Sequence, residues 1–275
     1  MRASRLAAAP FALLLCSTAL AEPDVFPRSG QLFAPMLAAP RETQLSVGYY
    51  RLKGQDSADV ALGHSWGMAR WNFGDGDRLN LQWDIDAMAF SRFKLDGSVN
   101  EFQTVDFFGA LPFEARYGDA SGRLALFHQS SHLGDDYIRR TGETGFRYSI
   151  DGLRGALAYD VFKWLRGYVD GTYLLHTVPA PQRGAFGFGA ELRSLPLFHI
   201  NTDLPVTYYL GWDLQSHAQV RWNIDSSVQT GLRLRFRDEA RSMRLFWEYF
   251  DGHSPYGEFY FAREHYSELG LAFDF

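Results

Sequence analysis

The sequence predicts an all-β fold, a transmembrane antiparallel β-barrel of about twelve strands with both termini in the periplasm. Three observations carry that expectation. The chain opens on an export signal, it alternates apolar and polar residues with no long apolar run after that signal, and its final strand ends on Phe275.

The signal comes first. Arg2 and Arg5 precede an apolar run over 6–15, and Ala19-Leu20-Ala21 supplies small residues at the −3 and −1 positions for a cut after Ala21. A run that short does not span a bilayer as a helix, which needs about 20 residues. A lipoprotein reading would use Cys16, but Leu15 stands where a small residue is wanted. Cys16 is the only cysteine, so the mature chain has none, which excludes disulfide frameworks and cysteine-based nucleophiles or metal sites. With 27 basic and 32 acidic residues the formal charge is −5, and no nucleic-acid footprint is visible.

Alternation comes next. Aromatic residues make up 16% of the chain, yet mean hydropathy is only −0.23. No segment after the signal approaches a transmembrane helix, so a helical membrane protein is excluded. A transmembrane barrel hides its apolar residues in a period of two, which averages away in any hydropathy window. The clearest case runs from Leu79 to Ala89. Leu79, Leu81, Trp83, Ile85, Ala87 and Ala89 share one face, and Asn80, Gln82, Asp84 and Asp86 lie on the other. Taken alone, this segment suits a soluble sandwich as well as a barrel.

Twelve such segments follow in order. Strands leading away from the periplasm are expected at 43–51, 78–90, 122–131, 166–176, 204–215 and 242–251. Returning strands are expected at 58–73, 102–117, 144–161, 185–193, 227–237 and 263–275. Within 144–161, Gly152 and Gly155 leave room for a bend or an extra hairpin. The turns 74–77, 117–122 and 238–240 are short and polar, whereas most connections at the other end, such as 93–100 and 252–262, are longer. That asymmetry is the outer-membrane pattern. Charged side chains such as Asp84, Asp86, Glu248, Arg233, Arg235 and Arg244 are expected to face the lumen and pair there. Trp66, Trp71, Trp164, Trp212, Trp222 and Tyr260 suit interfacial girdles.

The end of the chain separates barrel from sandwich. Leu269, Leu271, Phe273 and Phe275 share a face of the last strand, a pattern suited to the barrel-assembly machinery as a partner. The expected organisation is a cleaved signal at 1–21, a periplasmic segment at 22–42 and a barrel at 43–275. Pro23, Pro27, Pro35 and Pro40 argue against a strand in the middle piece.

Three segments carry a family resemblance: Phe127-His128-Gln129-Ser130-Ser131-His132-Leu133-Gly134-Asp135, Tyr173-Leu174-Leu175-His176, and Glu248-Tyr249-Phe250-Asp251-Gly252-His253-Ser254-Pro255. Together they resemble the bacterial family called domain of unknown function 1207, whose members look like outer-membrane proteins. The likeness runs from Leu32-Phe33-Ala34-Pro35 to the last strand and implies architecture without an activity.

A second resemblance is local. His128-Gln129-Ser130 is similar to the His-x-Ser element of outer-membrane phospholipase A and the lipid A 3-O-deacylase. It implies Ser130 as nucleophile and His128 as base, on one face of one strand because residues i and i+2 share a face. The parity of His128 and Ser130 matches Leu124 and Leu126, the expected lipid face, while Ala125 and Phe127 take the other. In those enzymes an Asn or Glu about a dozen residues past the Ser orients the imidazole. No Asn stands in that interval, so Glu143 is the first candidate, with Asp135 and Asp136 in the preceding loop.

His128, His132, His176 and His253 map to one end of the barrel with Asp135, Asp136 and Asp251. His132, Asp135 and Asp136 are therefore candidate ligands for a divalent cation such as calcium. His253-Ser254 reads as a shaped loop, since adjacent residues point to opposite faces. Two functions remain open from the residues alone. One is a hydrolase acting on outer-membrane lipids, phospholipid or lipopolysaccharide. The other is a non-enzymatic barrel, a narrow channel or an envelope-structural protein.

Overall fold

The structure, a computed structural model, describes residues 22–27, 30–74, 79–95, 100–200, 204–236 and 241–274. The export signal 1–21, most of the turns 74–77 and 238–240, and Phe275 lie outside the described residues. In chain order the strands are β1 Asp24–Val25, β2 Leu45–Leu52, β3 Gln55–Phe73, β4 Leu79–Lys94, β5 Glu101–Tyr117, β6 Ala120–Leu133 and β7 Tyr148–Phe162. After them come β8 Leu165–Val178, β9 Gly184–Arg193, β10 Phe198–His199, β11 Pro205–His217, β12 Ile224–Arg235, β13 Ser242–His253 and β14 Arg263–Asp274. A single α-helix, α1 Asp135–Thr141, lies between β6 and β7.

Twelve of the strands are long, and they form a closed antiparallel ring. Each of them pairs with its neighbours, and β2 joins β14 on one side to β3 on the other. The expected count therefore holds, and its least regular member has a physical reason. Strand β7 begins at Tyr148, because 144–147 belongs to the loop after α1. The bend expected near Gly152 is a β-bulge between Asp151 and Gly152, with no extra hairpin. Gly118-Asp119 and Lys163-Trp164 make tight turns at one end, and α1 and 254–262 lie at the other. These are called here the turn end and the loop end.

Burial is inverted relative to a soluble sandwich. Leu111, Leu124, Leu126, Trp247 and Leu269 are exposed on the outer wall, and Asp84, Asp106, Glu114 and Glu191 are fully buried inside. Apolar side chains pointing out and charges pointing in suit a wall surrounded by hydrocarbon with a polar lumen. Leu111→Arg, in the middle of β5, is expected to cost about 2–4 kcal/mol in urea unfolding from lipid vesicles. A change within about 0.5 kcal/mol would mean that this face is solvated.

Several charges in the lumen are paired. Arg92 makes a bidentate bond to Glu264 at 2.8 and 2.8 Å, Arg244 holds Asp274 at 2.8 Å, and Arg166 bonds Glu191 at 3.3 Å. As expected, Asp84, Asp86, Glu248 and Arg244 face inward, but they bond to Gln82, Thr43, Gln229 and Asp274 rather than to one another. Trp66, Trp164, Trp212 and Trp222 are exposed on the wall as girdle residues should be. Tyr260 is not among them: it packs against Phe146 and Tyr148 at the loop end.

The chain ahead of the first long strand runs inside the ring. Residues 30–44 thread the lumen, with Phe33, Met36, Leu37 and Ala38 almost wholly buried. Phe33 and Met36 pack on Ala156, Ala158 and Tyr168, and Leu37 packs on Tyr209, Phe246 and Ala272. The strands supply the polar anchors. Glu114 accepts the N–H groups of Leu32 and Phe33 at 2.7 and 2.9 Å, and Arg123 grips Glu42 at 2.7 and 3.0 Å. Prolines that disfavour a long strand suit an irregular segment whose backbone is satisfied by buried side chains. Ahead of it, β1 makes a two-residue pairing with β3. From the loop end, 254–262 folds inward and meets the segment at Arg41. That guanidinium bonds to the Pro255 carbonyl and Asp106 and lies over the Phe90 and Tyr256 rings.

Candidate active site on the outer wall

Strand β6 carries the site because its alternation divides it cleanly. Arg123, Ala125, Phe127 and Ser131 are buried toward the lumen, while Leu124, Leu126, His128 and His132 are exposed outward. Ser130 shares the outward face, opposite the exposed Phe107 on β5 and Ser149 on β7. His128 stands opposite Gly109 on β5 and Asp151 on β7. His128 and Ser130 thus share the lipid face that their spacing predicted.

The third group is Asp151. Its Oδ1 lies 2.7 Å from His128 Nδ1, with the two side chains 43% and 54% exposed, respectively. A carboxylate on Nδ1 fixes the neutral tautomer with its proton there, and Nε2 is left as the base. Ser130 lies two residues on, on the same face, where its hydroxyl is the nearest nucleophile in sequence. Ser130, His128 and Asp151 therefore occupy two adjacent strands on the outer surface.

Glu143, the expected orienter, is elsewhere. It lies in the loop past α1, where it accepts a hydrogen bond from the Tyr137 hydroxyl at 3.2 Å. The seven-residue helix α1 lengthens the β6–β7 connection, so the carboxylate facing His128 stands 23 residues along the chain. A signal for Asp151 was present in the sequence. Ser149, Asp151 and Leu153 share the outward parity of β7, and a carboxylate on a lipid-facing position is costly without a partner.

A groove runs from His128 across the wall. Leu62, His64 and Trp66 of β3, Ala87 and Ala89 of β4, and Phe107 and Gly109 of β5 line a shallow, open strip of the wall that ends at His128. The small residues Ala87, Ala89 and Gly109 keep it open. At Gly109 a Cβ would meet only the Asp86 carbonyl, at 3.9 Å.

The remaining candidates do not converge. His132 lies beside Phe107, with ring centroids 6.1 Å apart. Asp135 and Asp136 form the first turn of α1. The Phe102 N–H, donating at 3.1 Å, and the Arg139 guanidinium hold the Asp136 carboxyl below the usual range. Asp251 pairs with Arg263 at 3.0 Å, and His253 pairs with Asp225 at 2.8 Å inside the lumen. Among the described residues, no group of three His, Cys, Asp or Glu side chains fits a metal ion. The expected divalent-cation site at His132, Asp135 and Asp136 is therefore not formed.

Closed antiparallel strands, an apolar outer wall and a charged lumen define an outer-membrane-type β-barrel. No helix among the described residues is long and apolar enough to cross a membrane. The chain belongs to the family described as Protein of unknown function (DUF1207), whose model matches residues 12–275. Its fold is similar to that of outer membrane phospholipase A from Escherichia coli, with 14% identity, a TM-score of 0.55, and coverage of 88% of this chain and 93% of that one. The Salmonella typhi outer membrane phospholipase, a dimer with bound calcium, is 12% identical with a TM-score of 0.56, covering 88% of this chain and 94% of that one. At these identities the likeness concerns the fold. No curated protein matches the chain.

Proposed function

We propose that this barrel is a serine-dependent lipid ester hydrolase of the Gram-negative outer membrane, with Ser130 as nucleophile, His128 as base and Asp151 as orienter. The observation that carries the reading is the 2.7 Å His128–Asp151 bond beside Ser130 on a wall otherwise made for lipid. In this reading residues 1–21 are removed on export and the strand ending at Phe275 is handed to the barrel-assembly machinery. The loop end then faces outward and puts the site in the outer leaflet.

The chemistry follows from the three side chains. Ser130 Oγ bonds to the ester carbonyl carbon while its proton passes to His128 Nε2. The C–O bond to the alcohol breaks, and the imidazolium returns that proton to the departing oxygen. Water then repeats the sequence on the acyl-enzyme and releases the fatty acid. Asp151 holds the ring and offsets its transient charge, with no proton transferred to the carboxylate.

The groove gives the ester a place to lie. A phospholipid or lipid A acyl chain seated along Leu62, Ala87, Ala89 and Gly109 brings its carbonyl end to His128. Gly109→Leu is expected to fill the strip without disturbing the backbone. It should slow hydrolysis of long-chain phospholipid at least about tenfold, the order of effect of losing 1–2 kcal/mol of apolar contact, and spare a short soluble ester. Equal loss on both substrates would remove the groove from the mechanism.

The channel reading has a specific observation against it. The lumen is occupied by 30–44 from one side and 254–262 from the other, joined at Arg41. The native protein is therefore expected to be silent in planar bilayers.

A further inference from the structure

The lumen contains a second site, unrelated to the outer wall. At the loop end lies a cavity of about 190 Å³ whose floor is Ala39, Pro40 and Arg41. One wall is apolar, built from Phe127, Tyr148, Ile150 and Leu174 of neighbouring strands with Phe108 and Tyr260 against them. The rest of the lining is polar, with Arg154 and Asp170 further along the same two strands and Asp213, Gln215, Asp225 and His253 on others.

The apolar wall is a buried cluster that also borders open space. Other apolar patches in the lumen are covered by chain: one by Phe33 and Met36, one by Leu37, and one by Tyr256 with Phe259. The patch at Phe127 and Ile150 is packed by Phe108, Phe146 and Tyr260 and also borders the cavity. Ala125 and Phe127, out of place on the lumen parity of β6, belong to it.

The polar wall is rigid before any ligand arrives. Arg154 Nε donates to Asp170 at 3.1 Å, Gln215 Nε2 is shared between Asp170 at 3.2 Å and Asp213 at 3.3 Å, and Tyr168 donates to Asp213 at 2.9 Å. His253 Nδ1 meets Asp225 at 2.8 Å. These are planar amide, carboxylate and imidazole groups with lone pairs and ring nitrogens left over, suited to bidentate bonds with neighbouring hydroxyls. Both guanidiniums of the lining are engaged, Arg154 on Asp170 and Arg41 on Asp106. With three aspartates and no uncommitted guanidinium, the wall repels an anion.

We infer that this cavity binds a neutral saccharide. A sugar ring has an apolar C–H face for Phe127, Tyr148 and Tyr260 and a rim of hydroxyls for Asp170, Asp213 and Gln215. The volume lies below the range of drug-sized pockets, which suits about one or two rings. Because Arg41 and Pro255 close the floor, a sugar that enters from the loop end is held there and leaves by the same way.

The test uses saturation-transfer NMR on the full-length barrel in detergent micelles. The probes are glucose, galactose, mannose, maltose and lactose, with glucosamine and sialic acid as the cationic and anionic comparisons. Transfer to ring C–H protons of at least one neutral sugar is expected. Thr172→Trp, which fills the cavity from β8, should abolish it, and Tyr260→Ala should weaken it at least about tenfold, the loss of one aromatic contact. Heat-modifiable gel mobility reports whether each variant folds. Should Thr172→Trp misfold, Tyr260→Ala decides alone. Transfer to none of the neutral sugars, transfer to the charged comparisons only, or transfer unchanged in the folded variants would overturn the assignment.

Discussion

Ser130→Ala is expected to abolish release of fatty acid from outer-membrane phospholipid or lipid A, followed by mass spectrometry of the lipids with native and variant barrels. Asp151→Ala should lower the rate about 10²- to 10⁴-fold, because an imidazole without its carboxylate loses its tautomer and the partner of its transient charge. Glu143→Gln should leave the rate unchanged, since that side chain bonds Tyr137 in the loop. The pair of carboxylate variants separates the geometry found here from the one expected on spacing. If lipids stay unchanged with the native barrel as well, His128, Ser130 and Asp151 are a polar patch on the wall. An envelope-structural role would then take precedence. If Glu143→Gln is the damaging change, the loop must rearrange to reach His128.

The second large effect concerns the lumen segment. Glu42 is gripped by Arg123 and lies 3.4 Å from Arg154 Nη1, with both Glu42 and Arg123 buried. Glu42→Leu leaves Arg123 buried without its main counter-charge, which costs about 3–5 kcal/mol. The expected result is an earlier urea midpoint and, as the segment loosens, conductance in planar bilayers where the native protein is silent. Joining Glu42→Leu with Arg123→Met should recover most of the loss, because an apolar pair of similar size is nearly neutral in such a place. Native stability in the single variant would mean that the segment is held by its other contacts, without need of the Glu42–Arg123 pair.

These two expectations stand at different distances from the sequence. That His128 and Ser130 share the lipid face was legible, because parity along one strand is a local property: residues two apart face the same way whatever surrounds them. The partner of His128 was not legible. It depends on how far β7 slides against β6, and the helix between them shifts the pairing well past the interval known from other barrels. The path of the lumen segment was not legible for a related reason. Leu32, Phe33, Met36 and Leu37 show no strand alternation, and nothing in their own order says whether they meet solvent or the inside of a ring. Tyr260 was ambiguous in the same way, since an aromatic at a barrel rim suits a girdle until the side chains that it packs against are seen.

The sequence by itself determined the class, the strand number and the face on which each strand residue lies, because short-range alternation encodes all three. The tertiary structure alone decided that Asp151 meets His128, that residues 30–44 fill the lumen and that apolar and polar side chains share one cavity above them. Each of those facts joins residues far apart in the chain. Such contacts are set by register and ring closure, which local pattern does not contain.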